Sequence, residues 1–314
     1  MRIAPVLRRT VIALALCGGA AGASVRAQLP LDQAQETFRS AVDVVTIQAS
    51  VRDARGRSLQ GLTTSDFEVR DNGQLSRVLS FRSDGHSPVS LAILVDMSGS
   101  MRVGAKIAMA RRAFDAVLSQ LRERDDEAAV FTFDSALHER RGFTSEPGQL
   151  QDALAEFDPF GTTSLYDATA ATARRLAARS GARKAIVVLT DGIDTSSALT
   201  AADVSALASS IDVPVYIVAT VPSLDQRQMI EATERALPSG TADLRDLAEW
   251  TGGRLVFAST FTEATVVTST VVSELRLQYV LAIEAAGAHE WRRLDVRVKH
   301  PSAVVKARSG YFGG

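Results

Sequence analysis

Oxygen-bearing side chains gather in three short stretches of this sequence. Asp96-Met97-Ser98-Gly99-Ser100 sets a carboxylate and two hydroxyls at every second position, and Gly99 permits the tight turn that puts them on one face. Asp191-Gly192-Ile193-Asp194 follows an apolar run, and Gly161-Thr162-Thr163-Ser164-Leu165-Tyr166-Asp167 precedes an Ala-rich one. Carboxylates and hydroxyls without sulfur or imidazole suit a hard cation, Mg²⁺ or Mn²⁺, in a shell of about six oxygens. The competing role is a helix N-cap, since Ser98 and Ser100 precede a helical stretch. For one loop alone the two roles balance. Asp191 after a second apolar strand and Thr163 after a glycine shift the balance to the metal.

Such groups need rigid elements to bring them together. Leu91 to Val95, Ile186 to Leu189 and Val213 to Val218 are continuous apolar runs, and Ala128 to Phe133 and Leu255 to Phe257 are strand-like. Between them lie helical patterns at Val103 to Leu121, Leu150 to Phe157, Asp167 to Ala178, Ala201 to Ser209 and Leu244 to Trp250. Near-continuous apolar strands separated by helices predict an α/β fold, a doubly wound and mostly parallel sheet covered on both faces. Sheets of this kind bind ligands beyond the carboxyl ends of their strands, where the oxygen-rich loops fall.

The segments Ile93-Leu-Val-Asp-Met-Ser-Gly-Ser-Met101, Gly161-Thr-Thr-Ser-Leu-Tyr-Asp167 and Val187-Val-Leu-Thr-Asp-Gly192 together resemble the von Willebrand factor type A domain and its metal-ion-dependent adhesion site. The resemblance covers about Val89 to Phe257, with the three motifs in the family order. It implies that Ser98, Ser100 and Thr163 contact a divalent metal through hydroxyls. Asp96 and Asp191 would bind it directly or through water. Thr162 competes for the threonine role, and the spacing to Leu165 and Asp167 favours Thr163. The resemblance further implies a partner protein whose Asp or Glu fills the open coordination position. Neutral hydroxyls leave the ion electrophilic, so it would hold such a carboxylate strongly.

The flanks read as β structure. Val45, Ile47, Ala49 and Val51 form one apolar face, and Asp71-Asn72-Gly73 predicts a hairpin between Phe67-Glu68-Val69 and Val78-Leu79-Ser80-Phe81. After Phe261, Thr262 to Leu277 is β-branched yet repeats at helical spacing, so we expect a helix. Strands are expected at Gln278 to Ile283, Arg292 to Lys299 and Ala303 to Ala307. The leading and trailing strands should pair as a small β-sandwich into which the α/β domain is inserted. Thr63-x-x-Asp66-Phe-Glu-Val69 with Asp71-Asn-Gly73, and Leu275-Arg-x-Gln-Tyr-Val280 with Ala307-Arg-x-Gly-Tyr311, also resemble a bacterial family of exported proteins described as type A-related. The expected division is a signal peptide at 1–27, a linker at 28–37, an N-terminal β segment at 38–87, the type A domain at 88–260, and a helix with the C-terminal β segment at 261–314.

Composition limits the functions on offer. The 314 residues carry 35 Lys and Arg against 36 Asp and Glu, with 46% hydrophobic residues and one cysteine. This balance disfavours a disordered chain and a basic nucleic-acid binder, and a lone cysteine excludes an internal disulfide or Cys-rich metal site. Arg2, Arg8 and Arg9, the apolar Thr10 to Leu16 and the small residues before Val25-Arg26-Ala27 read as an export signal cleaved after Ala27. Arg8-Arg9 also fits a twin-arginine leader of poor consensus, and Leu14-Ala15-Leu16-Cys17 a lipoprotein box with a bulky residue before its cysteine. The leader holds four arginines and no acid; without them 31 basic residues face 36 acidic ones, and Cys17 is lost. No second apolar run is long enough to span a membrane, so the expected location is periplasmic or secreted, without an integral membrane segment.

Enzyme signatures fail at particular positions. A phosphotransferase loop needs a second Asp where Ser98 stands, and a P-loop needs Lys at Ala105. Gly-x-Ser-x-Gly and His-Glu-x-x-His are absent, and His86, His138, His289 and His300 are scattered among polar residues. Asp134 and Asp194 could support the ligands from behind or form local turns, the latter favoured, and Trp250 and Phe257 read as core. The expected function is a non-enzymatic, metal-dependent protein-binding module. The alternatives are an envelope scaffold or assembly factor with a purely structural metal and, behind it, a metal-dependent hydrolase.

Overall fold

A computed structural model describes residues 44–313 except 84, 86, 156–157, 181–182, 222–240 and 288–289. The expected leader, its cleavage site and Cys17, together with His86 and His289, lie outside the described residues.

Among the described residues six strands form a central sheet and eight lie in two flanking sheets. The chain opens with β1 (Val44–Arg52), β2 (Phe67–Asp71), β3 (Gln74–Ser76) and β4 (Val78–Arg82). The α/β region follows as β5 (Val89–Asp96), α1 (Lys106–Gln120), β6 (Glu127–Phe133), β7 (Leu137–Thr144), α2 (Leu165–Ala177), β8 (Arg183–Thr190), α3 (Ala201–Ser210), β9 (Val215–Thr220), α4 (Thr241–Trp250) and β10 (Arg254–Ala258). Then come α5 (Phe261–Arg276), β11 (Tyr279–Glu284), β12 (Trp291–Val298), β13 (Val304–Ala307) and β14 (Gly310–Phe312).

The central sheet has the order β10-β9-β8-β5-β6-β7, parallel except at β7. Alternation sorts its buried strand residues onto two faces. Leu91, Ile93 and Val95 meet Phe114 and Val117 of α1 and Val271 and Leu275 of α5. Ala92 and Leu94, with Ile186 and Val188, meet Leu176 of α2, Val204 of α3 and Leu247 of α4. Both faces are therefore covered, which is why these strands read as unbroken apolar runs. The chain leaves β5 for β6 on one side and later returns to β8 on the other. That reversal places a topological switch at the carboxyl ends of β5 and β8.

The flanking strands form the expected sandwich. One sheet runs β13-β1-β11-β4 and the other β14-β12-β2-β3, so each mixes strands from both ends of the chain. Ile47, Val51, Phe67, Val69, Tyr279, Leu281 and Leu294 fill the space between them.

Three local expectations need correction. Asn72 and Gly73 do turn a hairpin, with φ of 46° and 82°, but its second strand is β3, with Asp71 opposite Gln74. Val78 to Phe81 instead belongs to β4 in the other sheet, paired with β11. The short helix expected at Leu150 to Phe157 is a 3₁₀ helix that starts earlier, at Pro147–Leu154, with its proline in the first turn, and residues 156–157 lie outside the described ones. Trp250 is 41% exposed rather than core. The β-branched segment before β11 is helical as expected, because Thr268, Val271, Val272 and Leu275 bury one stripe.

Candidate metal centre

Strand β5 delivers Asp96 to the switch point as its last residue, fully buried. The Ser98 N–H donates to Asp96 Oδ1 at 2.8 Å, folding the chain back at once, and a 3₁₀ turn at Gly99–Arg102 precedes α1. The hydroxyls of Ser98 and Ser100 lie 3.1 Å apart. A Cβ at Gly99 would sit a close 3.3 Å from the Gly161 carbonyl, to which the Gly99 N–H donates at 3.0 Å. Phe160 N–H donates to the Met97 carbonyl at 2.7 Å, so the first and second oxygen-rich loops are held backbone to backbone.

The third loop enters through Thr190, the last residue of β8. Its hydroxyl donates to Asp96 Oδ2 at 2.6 Å and accepts the Gly192 N–H at 3.0 Å. Asp191 is thereby held beside Asp96, close enough for its charge to act on it. Burial pushes the Asp96 carboxyl up to about 6, with the Asp191 charge adding to the rise and bonds from Ser98 and Thr190 opposing it. Lys106, at the start of α1, donates from Nζ to Asp191 Oδ2 at 3.0 Å. Asp191 Oδ1 is buried and has no hydrogen-bond partner.

Thr163 and Thr162 part company. Thr163 is buried, with its N–H on Thr195 Oγ1 at 2.9 Å and its carbonyl accepting from the N–H groups of Thr195 and Ser196. Thr162 is exposed, and its hydroxyl accepts from Ser196 at 3.1 Å. Asp194 and Asp167 act as clamps around them. Asp194 Oδ2 accepts the Leu165 N–H at 2.8 Å at the start of α2, where a carboxylate also suits the helix dipole. Asp167 accepts the N–H groups of Ala198 and Leu199.

Sequence reading missed Thr190 and Lys106. Thr190 was legible only as the residue ending an apolar strand. Lys106 carried no signal beyond a basic residue at a helix start, because its reach depends on how α1 leaves the loop. His138 is 3.5 Å from Asp134 and His300 bonds its neighbouring carbonyl, so neither joins the oxygen cluster.

The donor set fits a hard divalent cation. It offers carboxylates and hydroxyls alone, one buried carboxylate oxygen has no partner, and Asp96 is destabilised as an anion in a way a cation would relieve. Among the described residues no group of three or more His, Cys, Asp or Glu is placed to hold a metal ion.

A family model described as von Willebrand factor type A domain matches residues 91–193. No curated protein sequence matches the chain. Among solved structures, proximal thread matrix protein 1 of the mussel byssus, described with a zinc-occupied MIDAS motif, is 15% identical with a TM-score of 0.50, covering 65% of this chain and 49% of that one. The chain thus spans about half the length of the byssus protein. The conserved hypothetical protein BatB of Bacteroides thetaiotaomicron is 16% identical with a TM-score of 0.47, covering 60% of this chain and 98% of that one. At such identities the likeness is one of fold alone.

Proposed function

We propose that this type A domain is a divalent-cation-dependent, non-enzymatic binding module for a protein partner, exported to the periplasm or beyond. Asp96, Ser98, Ser100, Thr163 and Asp191 would hold Mg²⁺ or Mn²⁺, and a partner's Asp or Glu would complete the shell. The observation that carries this reading is the bare, buried Asp191 Oδ1 beside the oxygen donors at the switch point. The zinc described in the byssus protein's site adds Zn²⁺ to the ions worth titrating.

Charge supports the same reading. Asp96 and Asp191 against Lys106 leave one net negative charge, which attracts a cation. A divalent ion reverses the sign, so the loaded centre attracts a carboxylate. The ion supplies Lewis acidity there; the protein supplies a rigid cradle, with Thr190 and the Ser98 N–H fixing Asp96. Hydrolysis would also need a positioned general base, and the two described histidines stand elsewhere. No helix among the described residues is long and apolar enough to cross a membrane.

The test is binding of the chain to immobilised Glu-containing peptides in Mg²⁺ or Mn²⁺ against chelator, with Ser98→Ala as the site control. Binding that needs both the ion and Ser98 is expected. Binding unchanged in chelator overturns the metal-dependent reading. A fall in melting temperature for Ser98→Ala with binding intact favours the structural-metal alternative. Mass spectrometry of the exported protein should find Gln28 at its amino terminus.

A further inference from the structure

Both tryptophans of the chain stand at the surface and line one cleft. Trp250 ends α4 and is 41% exposed, Trp291 opens β12 and is 38% exposed, and Phe312 of β14, 54% exposed, joins them. The cleft encloses about 400 Å³, an ordinary size for a small-molecule site. Ala202 and Ala206 of α3 line it with small side chains, and Ser205 and Ser309 add hydroxyls. Strand β10 opens just after Trp250, so the cleft lies toward the amino ends of the central strands, away from Asp96 and Asp191.

The aromatic rings are held in place. A Cβ at Gly310 would collide with the Arg292 carbonyl and stand 2.5 Å from Trp291 Cζ2, so the indole lies against bare backbone that only glycine provides. The Phe312 ring meets it edge-on, with centroids 5.3 Å apart. Trp250 is fixed through its carbonyl, which accepts the Ser209 hydroxyl at 2.9 Å and the Ser309 N–H at 2.8 Å. These bonds tie the ends of α3 and α4 to the chain entering β14, which carries Phe312. One exposed aromatic needs no explanation, but three rigid ones on a single cleft make a ligand surface.

Charge and hydrogen bonding select the occupant. None of the side chains lining the cleft is ionisable, so nothing in it repays the desolvation of a charged ligand. Among the described residues neither indole N–H has a hydrogen-bond partner, so a wholly apolar occupant would strip water from both donors and replace it with nothing. We propose that this cleft binds a neutral saccharide. A pyranose ring is apolar across its faces, where C–H groups meet the electron-rich faces of Trp250 and Trp291. It is polar round its edge, where hydroxyls meet the indole N–H groups and Ser309. The site is separate from the metal centre and works without it.

The two tryptophans themselves report on the test. Indole fluorescence of the full chain is followed in chelator as cellotetraose, chitotetraose, choline chloride or a neutral leucine-rich peptide is added, and calorimetry measures each affinity. A saturable change with at least one of the two saccharides is the expected result. Trp250→Ala, which keeps Trp291 as reporter, should weaken that binding about tenfold. Ala202→Arg should abolish it, because it puts a long charged side chain into the cleft from an exposed helix position that the fold does not need. The remote control Leu75→Ser, at a residue 71% exposed on β3, should change nothing. No response to either saccharide overturns the proposal, as does equal saccharide affinity in the native protein, Trp250→Ala and Ala202→Arg. Saturation by choline or by the peptide, with both saccharides inert, overturns it too.

Discussion

The two ends of the central sheet treat charge in opposite ways. At the amino ends of its strands lie buried ion pairs, two of which, Glu274 with Arg52 and Asp212 with Arg308, tie the α/β region to the β-sandwich. Asp126 takes the Arg276 guanidinium and the N–H groups of Val89 and Arg122. Glu274 pairs with Arg52, and Asp212 accepts from Gln48 beside Arg308, which also reaches the Ser209 and Thr46 carbonyls. At the carboxyl ends Asp191 has one ammonium and a bare oxygen. No other buried carboxylate oxygen among the described residues lacks a partner. The Asp126 carboxylate is saturated by its donors, whereas Asp191 keeps a bare oxygen.

This contrast can be broken from either side, and the largest effect belongs to the amino end. Asp126→Ala leaves the Arg276 guanidinium facing a buried void and should cost about 3–5 kcal/mol in denaturant unfolding, with the affinity for Mn²⁺ unchanged in the folded protein. Burial opposes ionisation of Asp126, yet the Arg276 and backbone donors outweigh it and hold the carboxyl below its ordinary 3.8. A group depressed in the native state stabilises fully above its unfolded value and loses that contribution as pH falls through the native one. The native protein should therefore lose stability below about pH 4 through this group, and Asp126→Asn should flatten that acid limb. A metal affinity that fell with the stability would blur the division between the two ends.

Lys106→Met comes next. It strips Asp191 of its only described partner, so the metal-free protein should lose about 1–3 kcal/mol. Added Mn²⁺ should restore that loss and bind more tightly than to the native chain, since no ammonium competes for Asp191 Oδ2. Melting temperatures with and without the ion report both effects, and a variant insensitive to Mn²⁺ would show that Lys106 is no surrogate cation. Thr190→Val should act more gently, lowering metal affinity about 10- to 100-fold by freeing Asp96 Oδ2 and unpinning Gly192. The smallest effect is expected at Thr162→Ala, within about 0.5 kcal/mol in stability and without change in metal affinity, whereas Thr163→Ala should weaken the ion clearly. The reverse ranking would make the exposed threonine the ligand.

Much of this contrast was readable in the sequence, and the rest was hidden for physical reasons. Leu91 to Val95 announced a strand buried on both faces, and Asp96, Ser98 and Ser100 declared their chemistry by alternation in one loop. The sandwich was readable because Val45, Ile47, Ala49 and Val51 needed a partner face that the α/β region could not offer. Strand β7 was not readable: Leu137–Thr144 is polar and half exposed at the sheet edge, so it shows no apolar pattern. The passage from β3 to β4 was hidden because a single residue, Arg77, separates strands of two different sheets. Long-range partners were the least visible. Lys106 and Asp191 lie 85 residues apart, and the guanidinium of Arg276 reaches Asp126 across 150.

The central claim is that the carboxyl-end centre holds a divalent ion through this oxygen set. Calorimetric titration of Mn²⁺ and Mg²⁺ into the metal-free protein, alongside Ser98→Ala and Asp191→Asn, tests it most directly. One ion per chain, bound by the native protein and lost or strongly weakened in both variants, is the predicted result. A native protein that takes up neither ion, or variants that bind as well as it does, would contradict the claim.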